Sequence, residues 1–293
     1  VARGARVRFR IRVGAAPPLA FALLEAEPMI HGVTVGSGPA QVVFLHGLFG
    51  QGKNFTRIAT SLAGVATCHL LDLPNHGASS WTVGFTLDGQ SEHIARWLRE
   101  NFEGPVALVG HSLGGKLAMR LALAHPGLVD RLLVADISPV PSDGPTGFAP
   151  LVAAMRSLDL EHLASRTEAS RRLADAIPDP QVRGFLLQNL RRLGSDWAWK
   201  ANLDLLGDSL RIIGGWPRMD AVYDGPVWWV AGGKSHYVLR EHAEPMRKLF
   251  PRVVTITLKQ AGHWVHADEP DAFTSICTEF LVSPAPISST SPS

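Results

Sequence analysis

The amino-acid sequence predicts an α/β fold with a mostly parallel central sheet and helices on both of its faces. One observation is that short apolar segments alternate with helical segments along much of the chain, which is typical of such sheets. A second is the composition of the 293 residues, because 46% hydrophobic against 18% charged residues supplies a large core and excludes global disorder. A third is a Gly-x-Ser-x-Gly motif between one strand and the following helix.

Seven segments have the apolar or alternating pattern that predicts strands. They are residues 32–36, 41–45, 67–71, 105–109, 131–135, 226–231 and 252–258. Helices are predicted at residues 54–63, 88–101, 114–124, 240–249 and 270–281. The two cysteines cannot form a disulfide framework, and Cys68 lies within the third strand, so it is predicted to be a small core residue in a protein of a reducing compartment.

The interval 139–222 interrupts this alternation. It contains helical patterns and no convincing strand, so it predicts a helical lid inserted into the α/β core. The core is then formed by residues 28–138 and 223–282. Apolar residues of the insertion are expected to cover the opening of a site at the sheet edge.

The two ends of the chain differ from the rest in composition. Residues 1–27 are an Arg-rich extension, and a targeting segment and a mis-set translation start explain it equally well. Its apolar part is too short to span a membrane. The extension holds five of the 28 basic and two of the 26 acidic residues, so the rest of the chain is close to neutral and nucleic acid is not expected as a partner. Residues 283–293 are predicted to be a disordered tail.

The motif Gly-His-Ser-Leu-Gly occupies residues 110–114, after an apolar strand and before a helix. In this context it predicts a nucleophile elbow, a sharp strained turn that exposes the serine hydroxyl above the sheet. Side chains two residues before and after the serine would collide in such a turn, which explains Gly110 and Gly114. Ser112 is therefore the predicted nucleophile.

A serine hydroxyl is a weak nucleophile and needs a general base. His263 follows the last predicted strand, and Gly262 lets the backbone bend directly before it. His266, three residues further on, is the alternative base. The His-x-x-His spacing also resembles part of a metal site, but no cluster of further ligands accompanies it, so neither a metal nor another cofactor is predicted.

A third motif, His-Gly-Leu-Phe-Gly at residues 46–50, directly follows the strand at residues 41–45. In enzymes with a nucleophile elbow, one N–H donor to the reacting carbonyl oxygen comes from such a loop and another from the residue after the serine. Here these donors are the backbone N–H groups of Leu48 and Leu113. One preorganised donor of this kind stabilises a transition state by roughly 3 kcal/mol.

Residues beside the three motifs are expected to contact the substrate. They are His46, Gly47, Phe49, His111 and Trp264. His111 is not a candidate base, because neighbouring side chains in the elbow point in different directions and its ring is expected to face away from the serine hydroxyl.

These motifs, in this order, resemble those of the α/β-hydrolase superfamily over residues 29–282. The likeness is closer to an esterase group that includes bacterial acyl esterases and a mitochondrial member. Two segments carry it more specifically than the elbow, namely Asn-His-Gly-x-Ser at residues 75–79 and Asp-Ile-Ser-Pro at residues 136–139. The resemblance implies hydrolysis of carboxylic esters or acyl thioesters without a cofactor.

The acidic residue that would orient His263 is missing from its commonest position. That position is in the loop after the strand at residues 226–231, where the sequence reads Ala-Gly-Gly-Lys-Ser-His-Tyr. Ser235 or His236 stands where an Asp is expected, and neither can act as the carboxylate. Another acidic residue must stabilise the imidazolium.

Asp136 is the best candidate for this carboxylate. It ends the strand at residues 131–135, which places it at the same sheet edge as Ser112, and the resembling esterase group also carries an Asp in this segment. Asp208 and Asp204, both in the insertion, are the alternatives.

Two other polar residues near these motifs are not expected to take part in chemistry. Asp72 ends a strand before a loop that mainly shapes the rim of the site in the superfamily that the chain resembles, which implies a structural role. Lys116 lies on the helix after the elbow and is expected to be solvated or salt-bridged.

The sequence therefore predicts a cytoplasmic serine hydrolase of small esters or acyl thioesters, with a targeting segment left open. One alternative is a lyase or C–C hydrolase on the same fold, similar to a synthase of menaquinone biosynthesis. It would need basic residues in the insertion to hold substrate carboxylates, and the Arg pairs at residues 171–172 and 191–192 leave it open. A second alternative is a non-catalytic binding protein, although such proteins typically lose the Ser or the His.

Overall fold

The computed structural model describes residues 28–283, and the predictions for residues 1–27 and 284–293 lie outside the described part. The strands are β1 (Gly32–Val35), β2 (Ala40–Leu45), β3 (Ala66–Leu71), β4 (Val106–His111), β5 (Val129–Ala135), β6 (Leu190–Leu193), β7 (Asp196–Trp199), β8 (Val227–Gly232) and β9 (Val253–Leu258). The α-helices are α1 (Thr56–Leu62), α2 (Leu87–Asn101), α3 (Leu113–Ala124), α4 (Ala149–Arg156), α5 (Arg166–Arg172), α6 (Pro180–Leu187), α7 (Leu203–Asp208), α8 (Leu210–Gly214), α9 (Ala243–Leu249), α10 (Val265–Asp268) and α11 (Pro270–Val282).

One sheet contains seven of these strands, in the order β1-β3-β2-β4-β5-β8-β9. β1 is antiparallel to β3, and the other neighbouring pairs are parallel. The seven predicted strands and the five predicted helices are confirmed to within a few residues. The predicted α/β class with a mostly parallel sheet is confirmed as well.

Alternate residues of the central strands pack against opposite layers of helices. In β2, Val43 and Leu45 join the hydrophobic cluster that contains α2 and α3. Val42 and Phe44 join the cluster on the other face, with α1, α11 and the buried Cys68. The central strands are covered on both faces, and the carboxyl ends of the parallel strands β2, β4, β5 and β8 meet at one edge of the sheet.

The insertion between β5 and β8 contains α4 to α8, but it also contains a β-hairpin. β6 and β7 pair antiparallel across a two-residue turn in which Gly194 has a φ of 62°. The prediction that residues 139–222 hold no strand is therefore wrong. Gly-Ser between two short segments is a hairpin signal, but the sequence Leu-Arg-Arg-Leu of β6 is too short and too charged to show strand alternation.

The prediction that Lys116 is solvated or salt-bridged is also wrong, because this side chain is buried. Its ammonium group donates hydrogen bonds to the carbonyl oxygens of residues 213–215 at 2.6 to 3.2 Å, at the C-terminal end of α8. Arg120, one turn further along α3, donates to the carbonyl oxygen of Pro217 at 2.8 Å. Helix α3 is buried over nearly its whole length, so its cations donate hydrogen bonds to backbone carbonyl oxygens, and Arg120 also pairs with Asp88. These contacts fix the end of the insertion to the core.

Helix α3 approaches β2 more closely than a side chain would allow. A Cβ atom on Gly114 would lie 2.2 Å from the carbonyl oxygen of Leu45 and 2.7 Å from that of His46. The Gly114 N–H donates to the same His46 oxygen at 3.1 Å. Glycine at this position therefore fixes the start of α3 against the edge of the sheet.

We expect Gly114→Ala to lower the free energy of unfolding by about 3 kcal/mol, because the new methyl group would overlap backbone atoms that cannot move aside. The matched control is Gly184→Ala, in helix α6, where a Cβ atom would meet nothing within 4 Å. Alanine there is expected to be neutral or to stabilise the protein by up to about 1 kcal/mol. Urea denaturation measures both, and equal stabilities of the two variants would contradict this account of the α3–β2 contact.

Candidate active site

Ser112 stands between β4 and α3 with φ 52° and ψ −116°, a strained backbone conformation for a residue with a side chain. A Cβ atom on Gly110 would lie 2.5 Å from the carbonyl oxygen of Gly114, so the chain can turn this sharply only with glycine there. The Ser112 N–H donates to the carbonyl oxygen of Ala135 at 3.0 Å, which ties the turn to the end of β5. This is the local geometry that the motif predicts.

The structure brings Ser112, His263 and Asp136 together in one hydrogen-bonded chain. Ser112 Oγ lies 3.0 Å from His263 Nε2, and His263 Nδ1 lies 2.8 Å from Asp136 Oδ2. The His263 side chain is 16% exposed, whereas that of Asp136 is fully buried. An imidazole that donates from Nδ1 to a carboxylate leaves Nε2 free to accept the serine proton.

The loop that lacks the expected Asp supplies hydrogen-bond donors to Asp136 instead. The Gly232 N–H donates to Asp136 Oδ1 at 2.8 Å, and the Ser235 hydroxyl donates to Oδ2. Asp136 itself has a φ of 48°, a second strained position at the same sheet edge. The carboxylate is thus held by β5, by the loop after β8 and by His263.

The alternative acids and the alternative base lie elsewhere. Asp204 and Asp208 are largely exposed and form ion pairs with Arg156, each at 3.0 Å. His266 makes no hydrogen bond to Ser112 or Asp136; its ring packs against that of His111, with centroids 4.7 Å apart. Of the candidates named from the sequence, Asp136 and His263 are therefore the pair whose geometry suits an acid and a base.

Tyr237 contacts the candidate base in a way that the sequence did not predict. Its ring stacks on the His263 imidazole, with centroids 4.0 Å apart and planes inclined by 23°. The Ser138 hydroxyl donates to the Tyr237 carbonyl oxygen at 2.8 Å, which fixes the loop that carries the ring. Stacking of this kind restricts the tilt of an imidazole that Asp136 already holds at one end. In the sequence, the one sign of this contact is that Tyr237 is an aromatic residue in the loop after β8.

Two buried histidines support the loop that follows β2. His46 donates from Nδ1 to the Gly47 carbonyl oxygen at 2.8 Å and accepts from the Leu73 N–H at Nε2. His76 accepts from the Phe49 N–H at Nε2, 3.1 Å away, and donates from Nδ1 to a backbone oxygen. Burial lowers the pKa of both histidines, that of His76 to about 3, so both are uncharged at pH 7 and support the loop through hydrogen bonds.

Asp72 has the structural role predicted for it. Its carboxylate accepts hydrogen bonds from the backbone N–H groups of Gly52 and Ala78 at 2.8 and 2.9 Å. It therefore ties the loop after β3 to the segment that follows residues 46–50.

The two residues predicted to supply the oxyanion donors belong to different elements. Leu113 is the first residue of α3, where a backbone N–H has no acceptor within the helix. Leu48 lines the cavity in front of Ser112. A Cβ atom on Gly47 would lie 3.2 Å from Ser112 Cβ and 2.9 Å from His111 Nδ1, so glycine lets this loop approach the serine.

The cavity in front of Ser112 has a volume of about 20 Å³. Its walls include four of the residues expected to contact substrate, namely His46, Gly47, His111 and Trp264. The fifth, Phe49, is fully buried behind the wall, where it packs on Phe148. Phe148 and Phe185, which reach the cavity from the insertion, and Asn54 were not named from the sequence as substrate contacts, and His266 was named only as the alternative base.

The described part of the chain shows neither a candidate metal site nor a candidate membrane-spanning helix. Within residues 28–283, no three His, Cys, Asp or Glu side chains are grouped so that they could hold a metal ion. No helix in the same range is both long enough and apolar enough to cross a membrane.

Comparison with known proteins assigns the chain to a family. A sequence model of the alpha/beta hydrolase family matches residues 42–276. The sn-1-specific diacylglycerol lipase ABHD11 of Mus musculus is 36% identical over 270 residues, which cover 90% of this chain and 85% of that protein. Esterase YbfF of Escherichia coli is 28% identical over 240 residues, which cover 82% of this chain and 92% of the esterase.

A solved structure gives the same assignment. A marine microorganism esterase superimposes with a TM-score of 0.83 and 31% sequence identity, covering 86% of this chain and 99% of the esterase. The chain therefore belongs to the alpha/beta hydrolase family. The predicted α/β-hydrolase fold and the likeness to an esterase group are confirmed.

We expect Asp136→Asn to lower kcat for ester hydrolysis by about 10³-fold or more, because an amide at this position favours the wrong imidazole tautomer. Asp208→Asn is the matched control and is expected to keep wild-type kcat, since Asp208 contacts Arg156 at the surface. Steady-state kinetics and thermal melts of both variants give the result. A normal kcat in Asp136→Asn, with loss in Asp208→Asn, would assign the acid to the insertion.

Acid should destabilise the fold through the buried histidines. The unfolded chain takes up a proton on His76 below about pH 6.5, whereas the folded protein does so only near its pKa of about 3. The free energy of unfolding therefore falls as pH decreases through this window, by about 1.4 kcal/mol per pH unit for each such histidine. His76→Asn should make the free energy of unfolding depend less steeply on pH between pH 6 and pH 4, by the slope that the uptake of one proton causes. An unchanged slope would contradict the assignment.

Proposed function

We propose that this protein is a serine hydrolase that cleaves carboxylic esters or acyl thioesters through an acyl-enzyme intermediate. The observation that carries the proposal is the unbroken hydrogen-bonded chain from Ser112 through His263 to the buried Asp136. The relatives named as esterases and as a diacylglycerol lipase support ester substrates.

In the proposed reaction Ser112 Oγ attacks the acyl carbon while His263 Nε2 accepts the hydroxyl proton. The imidazolium then gives this proton to the leaving alcohol or thiol as the bond to the acyl carbon breaks. A water molecule, deprotonated by the same nitrogen, attacks the acyl-serine ester and releases the acid. Asp136 keeps Nδ1 protonated and stabilises the imidazolium in both steps.

Charge on the carbonyl oxygen of each tetrahedral intermediate is stabilised by the backbone N–H groups of Leu48 and Leu113 in this proposal. Both belong to elements that are fixed before substrate arrives, the loop held by the two neutral histidines and the first turn of α3. Donors that need no reorganisation during the reaction stabilise the transition state most effectively. Phe148 and Phe185 of the insertion close the cavity, and we propose that the insertion acts as a lid that excludes water.

The alternative functions have less support. A lyase or C–C hydrolase that holds substrate carboxylates would need cations near the serine, and none of the described residues lining the cavity is Arg or Lys. Arg172 is paired with Glu168, and Arg192 lies over the Trp197 ring. A purely binding protein would have no need of a serine and a histidine held at hydrogen-bond distance.

We expect Ser112→Ala to lower the rate of hydrolysis of p-nitrophenyl butanoate by about 10³-fold or more while the protein stays folded. A fluorophosphonate probe should label the wild-type protein at one site and the variant not at all. Ser61→Ala, which changes an exposed serine on α1, is the control and should behave as wild type. Activity of Ser112→Ala within tenfold of wild type would remove Ser112 from the mechanism.

A further inference from the structure

The cavity in front of Ser112 is too small for any substrate larger than the reacting group itself. Its volume of about 20 Å³ has room for about one water molecule. A second chamber of about 190 Å³ shares four of its lining residues, Asn54, Phe185, Trp264 and His266. It lies next to the cavity in front of Ser112 and reaches the surface at Gln181 and Asp268.

His266 lines both spaces. Its ring packs against Phe55 and His111, with centroids 4.8 and 4.7 Å apart, and Nδ1 is buried without a hydrogen-bond partner. Burial lowers the pKa of His266 to about 4, so the ring is neutral at pH 7 and carries a single proton. Because Nδ1 faces no acceptor, the proton is more stable on Nε2, which, unlike Nδ1, is not a buried atom without a partner.

We propose that this chamber binds the part of the substrate beyond the scissile bond, and that His266 donates a hydrogen bond from Nε2 to an uncharged oxygen there. The inference rests on the proposed function and extends it to a preference among esters. His266 is a specificity-determining residue in this proposal, distinct from the base His263.

The walls of the chamber indicate which oxygen-bearing groups fit. Phe185 and Trp264 supply apolar surface, and Asn54 and Gln181 are uncharged. The one charged side chain among its described lining residues is Asp268, whose Oδ2 accepts from the Gly262 N–H at 2.7 Å. A carboxylate or phosphate would meet this negative charge with no cation in the wall, so the chemistry favours a hydroxyl or carbonyl oxygen.

The hydroxyl could belong to the leaving alcohol or to the acyl chain, and two pairs of esters distinguish these sources. The first pair is 2-hydroxyethyl butanoate and n-propyl butanoate, which differ by one hydroxyl for methyl in the alcohol. The second is ethyl 3-hydroxybutanoate and ethyl 3-methylbutanoate, which differ in the same way in the acyl group. We expect wild-type kcat/KM to be about fivefold to tenfold higher for the hydroxyl member of one pair, as one neutral hydrogen bond provides.

Variants of His266 test whether this residue is the donor. His266→Phe and His266→Asn leave no donor at the Nε2 position, and each should bring the ratio within the discriminating pair to about one. His266→Gln places its amide nitrogen close to that position and should keep part of the preference. His162→Phe, at an exposed histidine of the insertion, is the control and should leave the ratio as in wild type.

The outcomes separate this inference from the proposed function. If the wild-type protein hydrolyses none of the four esters, the proposed function fails. If it hydrolyses them without preferring a hydroxyl in either pair, or if His266→Phe and His266→Asn keep the preference, only the role of His266 is overturned. The ratio of kcat/KM values within a pair of esters is independent of the fraction of active protein, so a partly unfolded variant still gives a valid result. The comparison of the esters on the wild-type protein requires no variant at all.

Discussion

The geometry of the site depends on one buried carboxylate. Asp136 extends from the end of β5 and receives hydrogen bonds from the Gly232 N–H, the Ser235 hydroxyl and His263. A buried carboxylate is tolerated only when its oxygens are satisfied, so these three groups must take up fixed positions in the folded protein. Since Ser112 is tied to the same strand end, the fold brings the proposed nucleophile and the proposed base together before any substrate binds.

Much of this arrangement could be predicted because it depends on patterns within a few residues. Strands buried on both faces are recognisable as short apolar runs, and the parallel order places the loops after β2, β4 and β5 at one edge. The glycines around Ser112 report a turn that no larger residue could form. Asp136 could be predicted by the same reasoning, because the strand that it follows pairs directly with β4.

Most features that the sequence did not predict depend on contacts between distant segments, and the hairpin of the insertion is the exception. Lys116 was expected to be solvated or salt-bridged because it is charged, and its hydrogen-bond acceptors lie at the end of α8, about a hundred residues further on. Tyr237 and Ser235 act on groups more than twenty residues away, and the hairpin of the insertion is too short to show a period. Side-chain positions of this kind follow from tertiary packing, which a local pattern does not encode.

The central claim is that Ser112 becomes acylated during turnover, and trapping the intermediate tests it most directly. After brief reaction with a p-nitrophenyl ester and acid quench, trypsin releases the peptide of residues 100–116, in which Ser112 is the only hydroxyl-bearing side chain. Mass spectrometry should find this peptide heavier by the mass of the acyl group less one hydrogen, in an amount that falls as the substrate is exhausted. Turnover with an unmodified peptide at all times, or with the acyl group on another residue, would contradict the account.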